Sequence, residues 1–314
     1  MGTGLLCIGL TTLDVVARPI NALPEGEGTT LIEGIGVAPA GTAAGAAMVA
    51  ARLGVETRLA GSVGGDLTGR FVRMALEEQG VGTELLETIP GFPTSTTVLA
   101  VDSNGRRPNF HALGAGLFAP TGEAVLEDAS RSAFLHYGGI GGPKMDGGAG
   151  HAVIKAAKAG GAIVTCDLIS PQSTALAELE RLLPDVDYFM PSVAEAFALS
   201  GTQDLAGAAD FFLALGAKAV LMKNGGQGSY VALGAKRASL PAYDITPVDT
   251  TSCGDSYCAG FIAGLSRGLE PLEAARFATA VAALVAQGLA TLGKLESYDR
   301  VLKAMGEMTL KEAA

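Results

Sequence analysis

The chain has 314 residues, 48% hydrophobic and 17% charged: enough apolar material for one large α/β domain or two ordinary ones, and too little charge for a disordered coat. Its 32 acidic and 22 basic residues leave a net charge of −10, a field that repels nucleic acid and anionic membranes while leaving backbone N–H groups free to hold phosphate locally. Cys7, Cys166, Cys253 and Cys258 form no CxxC pair and His111, His136 and His151 are dispersed. Neither a disulfide framework nor a zinc motif is therefore expected, and the cytoplasm is the natural compartment.

In chain order, Leu5–Leu10 predicts a strand; no basic region precedes it, so it does not read as a secretion signal. Residues 14–41 are rich in Gly and Pro and read as short strands with turns. Next come a helix over Ala43–Leu53, a strand over Thr57–Val63 and a helix over Leu67–Gln79. Residues 94–112 read as a hairpin, with Asn104-Gly105 predicting a two-residue turn in which both positions take positive φ. These β segments are either a lid over a site or an edge hairpin without function. Strands follow at Ala133–Tyr137, Ala162–Cys166, Tyr188–Met190 and Ala219–Met222, and helices at Ala149–Ala159, Ala206–Leu215, Gly254–Arg267 and Leu272–Gln287. The apolar region Ala278–Leu292 is interrupted by Thr279, Gln287, Gly288 and Thr291, which suits a buried helix better than a membrane span. This alternation predicts a mostly parallel sheet covered by helices.

The most informative stretch runs from Asp249 to Phe261, Asp-Thr-Thr-Ser-Cys-Gly-Asp-Ser-Tyr-Cys-Ala-Gly-Phe. A loop of small polar residues opens into an apolar helix, so consecutive free N–H groups make an anion pocket assisted by the helix dipole. Asp255 in that first turn either complements the dipole or takes a proton from a hydroxyl attacking a bound phosphate.

The stretch resembles the C-terminal signature of the ribokinase-like, or PfkB, carbohydrate kinases: Asp-Thr-x-Gly-Ala-Gly-Asp, then a small residue and an aromatic. It matches at Asp249, Thr250, Gly254, Asp255, Ser256 and Tyr257, and departs at Ser252, where the family has Gly. Further segments match in order. They are Ala40-Gly41 to Gly45 ending in Arg52-Leu53-Gly54, then Gly61 to Gly69 with Asp66, then Pro191 to Glu195, then Lys223 to Gly228. The resemblance implies one domain over 1–314, a three-layer α/β/α sandwich with a mostly parallel central sheet and a small β-sheet lid from roughly 14–41 and 94–112. It implies an ATP-dependent kinase with Asp255 as base and with Ser252, Cys253 and Gly254 around the anion hole. Asp14, Gly41, Gly45 and His111 would meet the sugar, and Lys223, Gly225, Gly228 and Glu195 the ATP side. Glu195 would also approach Mg²⁺ through water, and Asp249 and Thr251 would hold a monovalent cation such as K⁺. A homodimer through the lid is expected, with no nucleic-acid or membrane partner.

The departures fall where substrate would sit. Gly45 stands where the family has a sugar-binding Asn, Ala40 replaces a Gly, Ser192 replaces an Asn, and Leu168, Ile169 and Ser170 follow Asp167 in place of Asn and Arg. An atypical substrate is expected, such as a sugar acid, a substituted sugar or a nucleoside. A negative φ is expected at Ser252, with its hydroxyl donating to phosphate. Cys253 reads as a small filler rather than a reactive thiol, and His136 as structural. Arg106 and Arg107 are either a solvated turn or contacts for an anion. Two rivals stand beside the sugar kinase: a nucleoside kinase of the same fold, and a non-catalytic relative that senses a ligand.

Overall fold

A strand buried on both faces and a helix apolar on one stripe satisfy each other only in layers, which is what this sequence builds. The structure is a computed structural model that describes residues 2–168 and 174–312. The chain runs β1 (Leu5–Gly9), β2 (Thr12–Arg18), β3 (Gly34–Ala40), α1 (Ala44–Arg52), β4 (Thr57–Gly64) and α2 (Leu67–Glu78). It continues through β5 (Val81–Gly82), β6 (Leu86–Ile89), β7 (Thr96–Ala100), β8 (Asn109–Ala112), α3 (Glu123–Arg131), β9 (Phe134–Gly138), α4 (Ala149–Ala159) and β10 (Ile163–Cys166). After these come α5 (Ala175–Leu182), β11 (Tyr188–Phe189), α6 (Val193–Ser200), α7 (Leu205–Ala214), β12 (Ala219–Lys223), β13 (Ser229–Leu233) and β14 (Lys236–Leu240). The last helices are α8 (Cys253–Ser266), α9 (Pro271–Val285) and α10 (Tyr298–Glu307).

In the large sheet β12, β11, β10, β9, β1, β4 and β5 lie side by side and parallel, β6 pairs with β4, and β13 and β14 extend the β12 edge antiparallel. One apolar layer joins the sheet to α1, α2, α8, α9 and α10; the other joins it to α3 through α7. Strand order reverses between β1 and β9, and ligands of such sheets bind in the crevice that this opens at the carboxyl ends. Helix α8 is set there by small residues. A Cβ on Gly260 would stand 3.0 Å from Ala278 Cα, and one on Gly264 3.0 Å from Ala274 Cα, so α8 and α9 approach backbone to backbone. Among the described residues no helix is long and apolar enough to cross a membrane.

The segments around 14–41 and 94–112 supply a separate four-stranded sheet in the order β3, β2, β7, β8. Its inner face packs Val16 and Leu99 against Ala290 and Leu289. Its outer face carries Val37, Val15, Val98 and Phe110 in one line across all four strands. The turn at its tip corrects the expectation for Asn104-Gly105. Asp102 N–H donates to Arg106 O at 2.9 Å and Gly105 N–H to Asp102 O at 3.0 Å, closing a three-residue loop in which only Gly105 has positive φ (79°). Asp102 drives this choice, since its Oδ1 accepts from the N–H groups of both Asn104 and Arg106. The sheet is tied to the main body by Asp66, whose carboxylate caps α2 through Gly69 N–H and accepts from Thr94 N–H and Oγ1.

Candidate active site

The loop before α8 is pinned from below. Buried Asp249 accepts N–H groups from Thr251 (2.8 Å) and Ala290 (2.9 Å), one on each oxygen, fastening the loop to the end of α9. Ser252 then turns the chain with φ 57° and ψ 6°, left-handed, and its side chain makes no capping bond. The negative φ expected there is thus overturned: the chain must reverse direction within one residue to enter α8, and only the left-handed region does so. Among the described residues the N–H groups of Gly254 and Asp255 have no acceptor, and that of Cys253 makes a long 3.4 Å contact with Thr250 O. They form the positive end of the helix dipole and an anion site. Burial pushes the Cys253 thiol up to about 12, which disfavours a thiolate at this helix start.

Asp255 opens toward the small sheet. Its carboxyl faces Gly45 in the first turn of α1, where an added Cβ would stand 3.0 Å from Asp255 Oδ2. Burial foremost, then the Asp167 and Asp14 carboxylates, push its pKa up to about 7, while Lys223 and Arg107 pull it back. The residue as a whole is half-buried.

Three residues line up on the inner face of the small sheet. Asp14, Thr97 and His111 pair in register across β2, β7 and β8. Thr12 Oγ1 donates to Asp14 Oδ1 at 3.0 Å, and Thr97 Oγ1 lies 3.1 Å from His111 Nδ1. Burial holds the Asp14 pKa above the usual carboxylate value, opposed by hydrogen bonds from Thr12 and Thr97. Gly41 shapes the entry to α1. It has φ 97°, and a Cβ there would stand 2.6 Å from Leu10 O, the carbonyl that accepts from Ala43 and Ala44 N–H.

On the other side of the anion site lies a cavity of about 510 Å³. Lys223, Gly225, Gly228, Cys253, Gly254 and Ser192 line it, with apolar walls from Ala242, Tyr243, Ile245 and Ala282. Among the described residues its charged lining is Arg107, Lys223 and Lys311, three cations and no carboxylate, in a chain of net charge −10. That balance selects a polyanion with an apolar portion. Lys223 Nζ lies 2.5 Å from Asp167 Oδ2 in a nearly buried pair and faces Gly254. Burial disfavours its charge, but Asp167, Cys258 and Glu195 hold its pKa above the ordinary lysine value. Gly228 turns at φ 96°, where a Cβ would meet Leu240 O at 1.9 Å, so the turn after β12 requires glycine.

Glu195 and Ser192 form a capping box at the start of α6. Ser192 Oγ accepts Glu195 N–H at 3.2 Å, while Glu195 Oε2 accepts Ser192 N–H at 2.8 Å. The Ser-x-x-Glu spacing carried that signal in the sequence.

A family model described as pfkB family carbohydrate kinase matches residues 3–296. The chain belongs to this family. It is 27% identical over 302 residues to a nucleoside kinase of Methanothermobacter thermautotrophicus, covering 95% of this chain and 94% of the relative. It is 30% identical over 260 residues to a fructokinase of Klebsiella pneumoniae, covering 79% and 81%. Arabidopsis thaliana ribokinase, solved with ribose and ATP, superposes with a TM-score of 0.78 at 25% identity, covering 97% of this chain and 99% of that one. As a pfkB family member the chain is an ATP-dependent phosphotransferase that acts on a hydroxyl of a sugar or sugar-like molecule.

The structure sets Gly45 against Asp255 and aligns Asp14 with His111 through Thr97, while Lys223, Gly225, Gly228, Cys253 and Gly254 line the cavity. Ile169 and Ser170 lie outside the described residues. Three site residues escaped the sequence reading. Asp167 was visible only as a strand end, yet it anchors Lys223 and acts on Asp255. Thr97 links Asp14 to His111. Lys311 reaches the cavity from beyond the last helix. Of the arginine pair, Arg106 closes on Asp102 at 2.6 Å, whereas Arg107 lines the cavity.

Proposed function

We propose that Asp255 is the catalytic base of a kinase whose acceptor lies between Gly45 and the Asp14–Thr97–His111 row, with ATP in the 510 Å³ cavity. The observation that carries this reading is the position of Asp255. It stands in the first turn of α8, beside Gly254 of the cation-lined cavity and against Gly45 of α1, where the Asp14 carboxylate helps raise its pKa to about 7, suited to proton exchange. The acceptor hydroxyl gives its proton to Asp255 as its oxygen attacks the γ-phosphoryl group in line. The Gly254 and Asp255 N–H groups, with Lys223, meet the charge on the transferring group. Closure of the small sheet excludes water that would otherwise hydrolyse ATP.

The residues present fit the two expected cations. Glu195 holds the capping box through Oε2 alone and lies near enough to Lys223 to act on its charge, so Oε1 would be the oxygen to meet Mg²⁺ through water. Mg²⁺, when bound with ATP, supplies charge neutralisation on the phosphates. Thr251 Oγ1 is buried beside Asp249 with no hydrogen-bond partner among the described residues, which supports a monovalent cation there. The exposed apolar line Val37, Val98 and Phe110 on the outer face of the small sheet supports a homodimer formed through it. The four unpaired cysteines suit a cytoplasmic protein.

Gly45 removes a side chain directly against the base, which supports an acceptor bulkier than free ribose or fructose, or a charged one. ADP release, screened over sugars, sugar acids, substituted sugars and nucleosides, tests the reading. Asp255→Asn is expected to lower turnover of the best acceptor by about 10²–10⁴-fold with ATP binding kept. A variant that keeps most of its kcat would show that another group takes the proton.

A further inference from the structure

Residues 309–311, after α10, pack back onto the main body. Asp244 N–H donates to Thr309 O at 2.8 Å, Lys311 N–H donates to Ala242 O at 2.8 Å, and Leu310 bridges Tyr243 antiparallel. Three residues thus act as a short strand on the wall that carries Ala242, Tyr243 and Ile245. From this strand Lys311 reaches across the rim and donates from Nζ to Gly226 O at 3.1 Å, within the turn after β12. Its side chain lines the cavity.

The three cations of this cavity are not equivalent. Lys223 is held by Asp167 and faces Gly254, and Arg107 acts on Asp255 and Cys253, so both serve the anion end. Lys311 stands at the apolar walls, at the turn of Gly225 to Gly228, with no carboxylate partner among the described residues. An ammonium has three donors and no acceptor; one is used on Gly226 O and two remain.

We infer that Lys311 is a nucleotide-binding residue, holding the nucleoside half of the phosphate donor by donating to an acceptor atom of its base or ribose, so that the C-terminal tail completes the donor site. This rests on the reading of the cavity as the ATP site. The ligand occupies the apolar end, its acceptor replaces the water on the exposed ammonium, and the tail becomes a wall of the pocket rather than a trailing end.

The experiment compares the parent with Lys311→Met, which keeps the apolar stem, and Lys311→Arg, which keeps the charge. KM for ATP is measured with saturating acceptor, alongside inhibition by AMP and by inorganic tripolyphosphate. Lys311→Met is expected to raise KM for ATP and weaken AMP inhibition by about tenfold, the scale of one charge-assisted hydrogen bond. The change falls on KM rather than kcat, and tripolyphosphate inhibition holds. Lys311→Arg recovers most of the loss. Unchanged AMP inhibition in Lys311→Met would overturn the inference, as would an equal loss with tripolyphosphate, which would put the lysine on the phosphates. If neither AMP nor tripolyphosphate inhibits the parent itself, the reading of the cavity fails instead.

Discussion

Ser252→Gly isolates the strain stored where the phosphate loop enters α8. At φ 57° an L-residue sits in the left-handed region at a cost of about 1–2 kcal/mol, which glycine does not incur. Glycine also frees the unfolded chain, which returns about 0.4–1 kcal/mol of that gain. The hydroxyl caps nothing in the helix, so little else is lost. The net expectation is a stabilisation of about 0.5–1 kcal/mol. For 314 residues the unfolding entropy is about 0.7 kcal/mol/K, so the shift in Tm is only about 1 °C. Urea unfolding of the parent, Ser252→Gly and Ser252→Ala side by side is therefore the better assay, read as a midpoint change at constant slope. Ser252→Ala keeps the Cβ and its strain and should track the parent within about 0.5 kcal/mol. Turnover of Ser252→Gly should hold or rise, because glycine populates the same φ and leaves the Gly254 and Asp255 N–H groups aimed as before. A glycine variant less stable than the parent by about 1 kcal/mol would refute the reasoning, since Cβ contacts would then outweigh the backbone strain.

The pH profile follows from Asp255. A base must be ionised, so kcat/KM should climb with pH and level off above about 7; a profile flat down to pH 5 would place proton transfer elsewhere. The same group acts oppositely on stability. Its folded-state pKa is raised from the ordinary 3.8, so its contribution is fully present below that value and is lost as pH rises through about 7, visible as parent stability falling relative to Asp255→Asn. Gly45→Ala should fold at least as well as the parent, because alanine favours the helix by up to about 1 kcal/mol. Its new Cβ crowds Asp255 Oδ2 at 3.0 Å, so kcat should fall by about tenfold or more, and an unchanged kcat would show that the carboxylate has room to give. Phe110→Glu puts a charge on the exposed apolar line of the small sheet. Sedimentation should show a dimeric parent and a monomeric variant; a variant as dimeric as the parent would move the interface off this face.

By itself the sequence determined the layers and the site's outline, because both are written in local patterns. Period and length placed β1, β4, β9, β10, β11 and β12 and the helices α1, α2, α4, α7, α8 and α9 within a few residues, and turn residues marked the regions of β2, β3, β7 and β8. The motif around Asp255 needs only contiguous residues to make a helix start with open N–H groups. The elements that escaped are α3, α5, α6 and α10 with β5, β6, β13 and β14; of these, α6 and α10 carry their signal in caps, Ser192 with Glu195 and Ser297, rather than in long periodicity. Tertiary structure alone decided the rest. The sign of φ at Ser252 is imposed by where Asp249 pins the loop and where α9 holds α8, neither of which is local to the serine. Lys223 meets Asp167 across 56 residues of chain, and Lys311 meets Gly226 across 85. The pKa of Asp255 is set by burial and by four charged groups from four different parts of the chain. Electrostatic and steric effects act through space and fall off over ångströms, so residue type and spacing nominate the carboxylate, and only the packing of α8 against its neighbours decides what it can do.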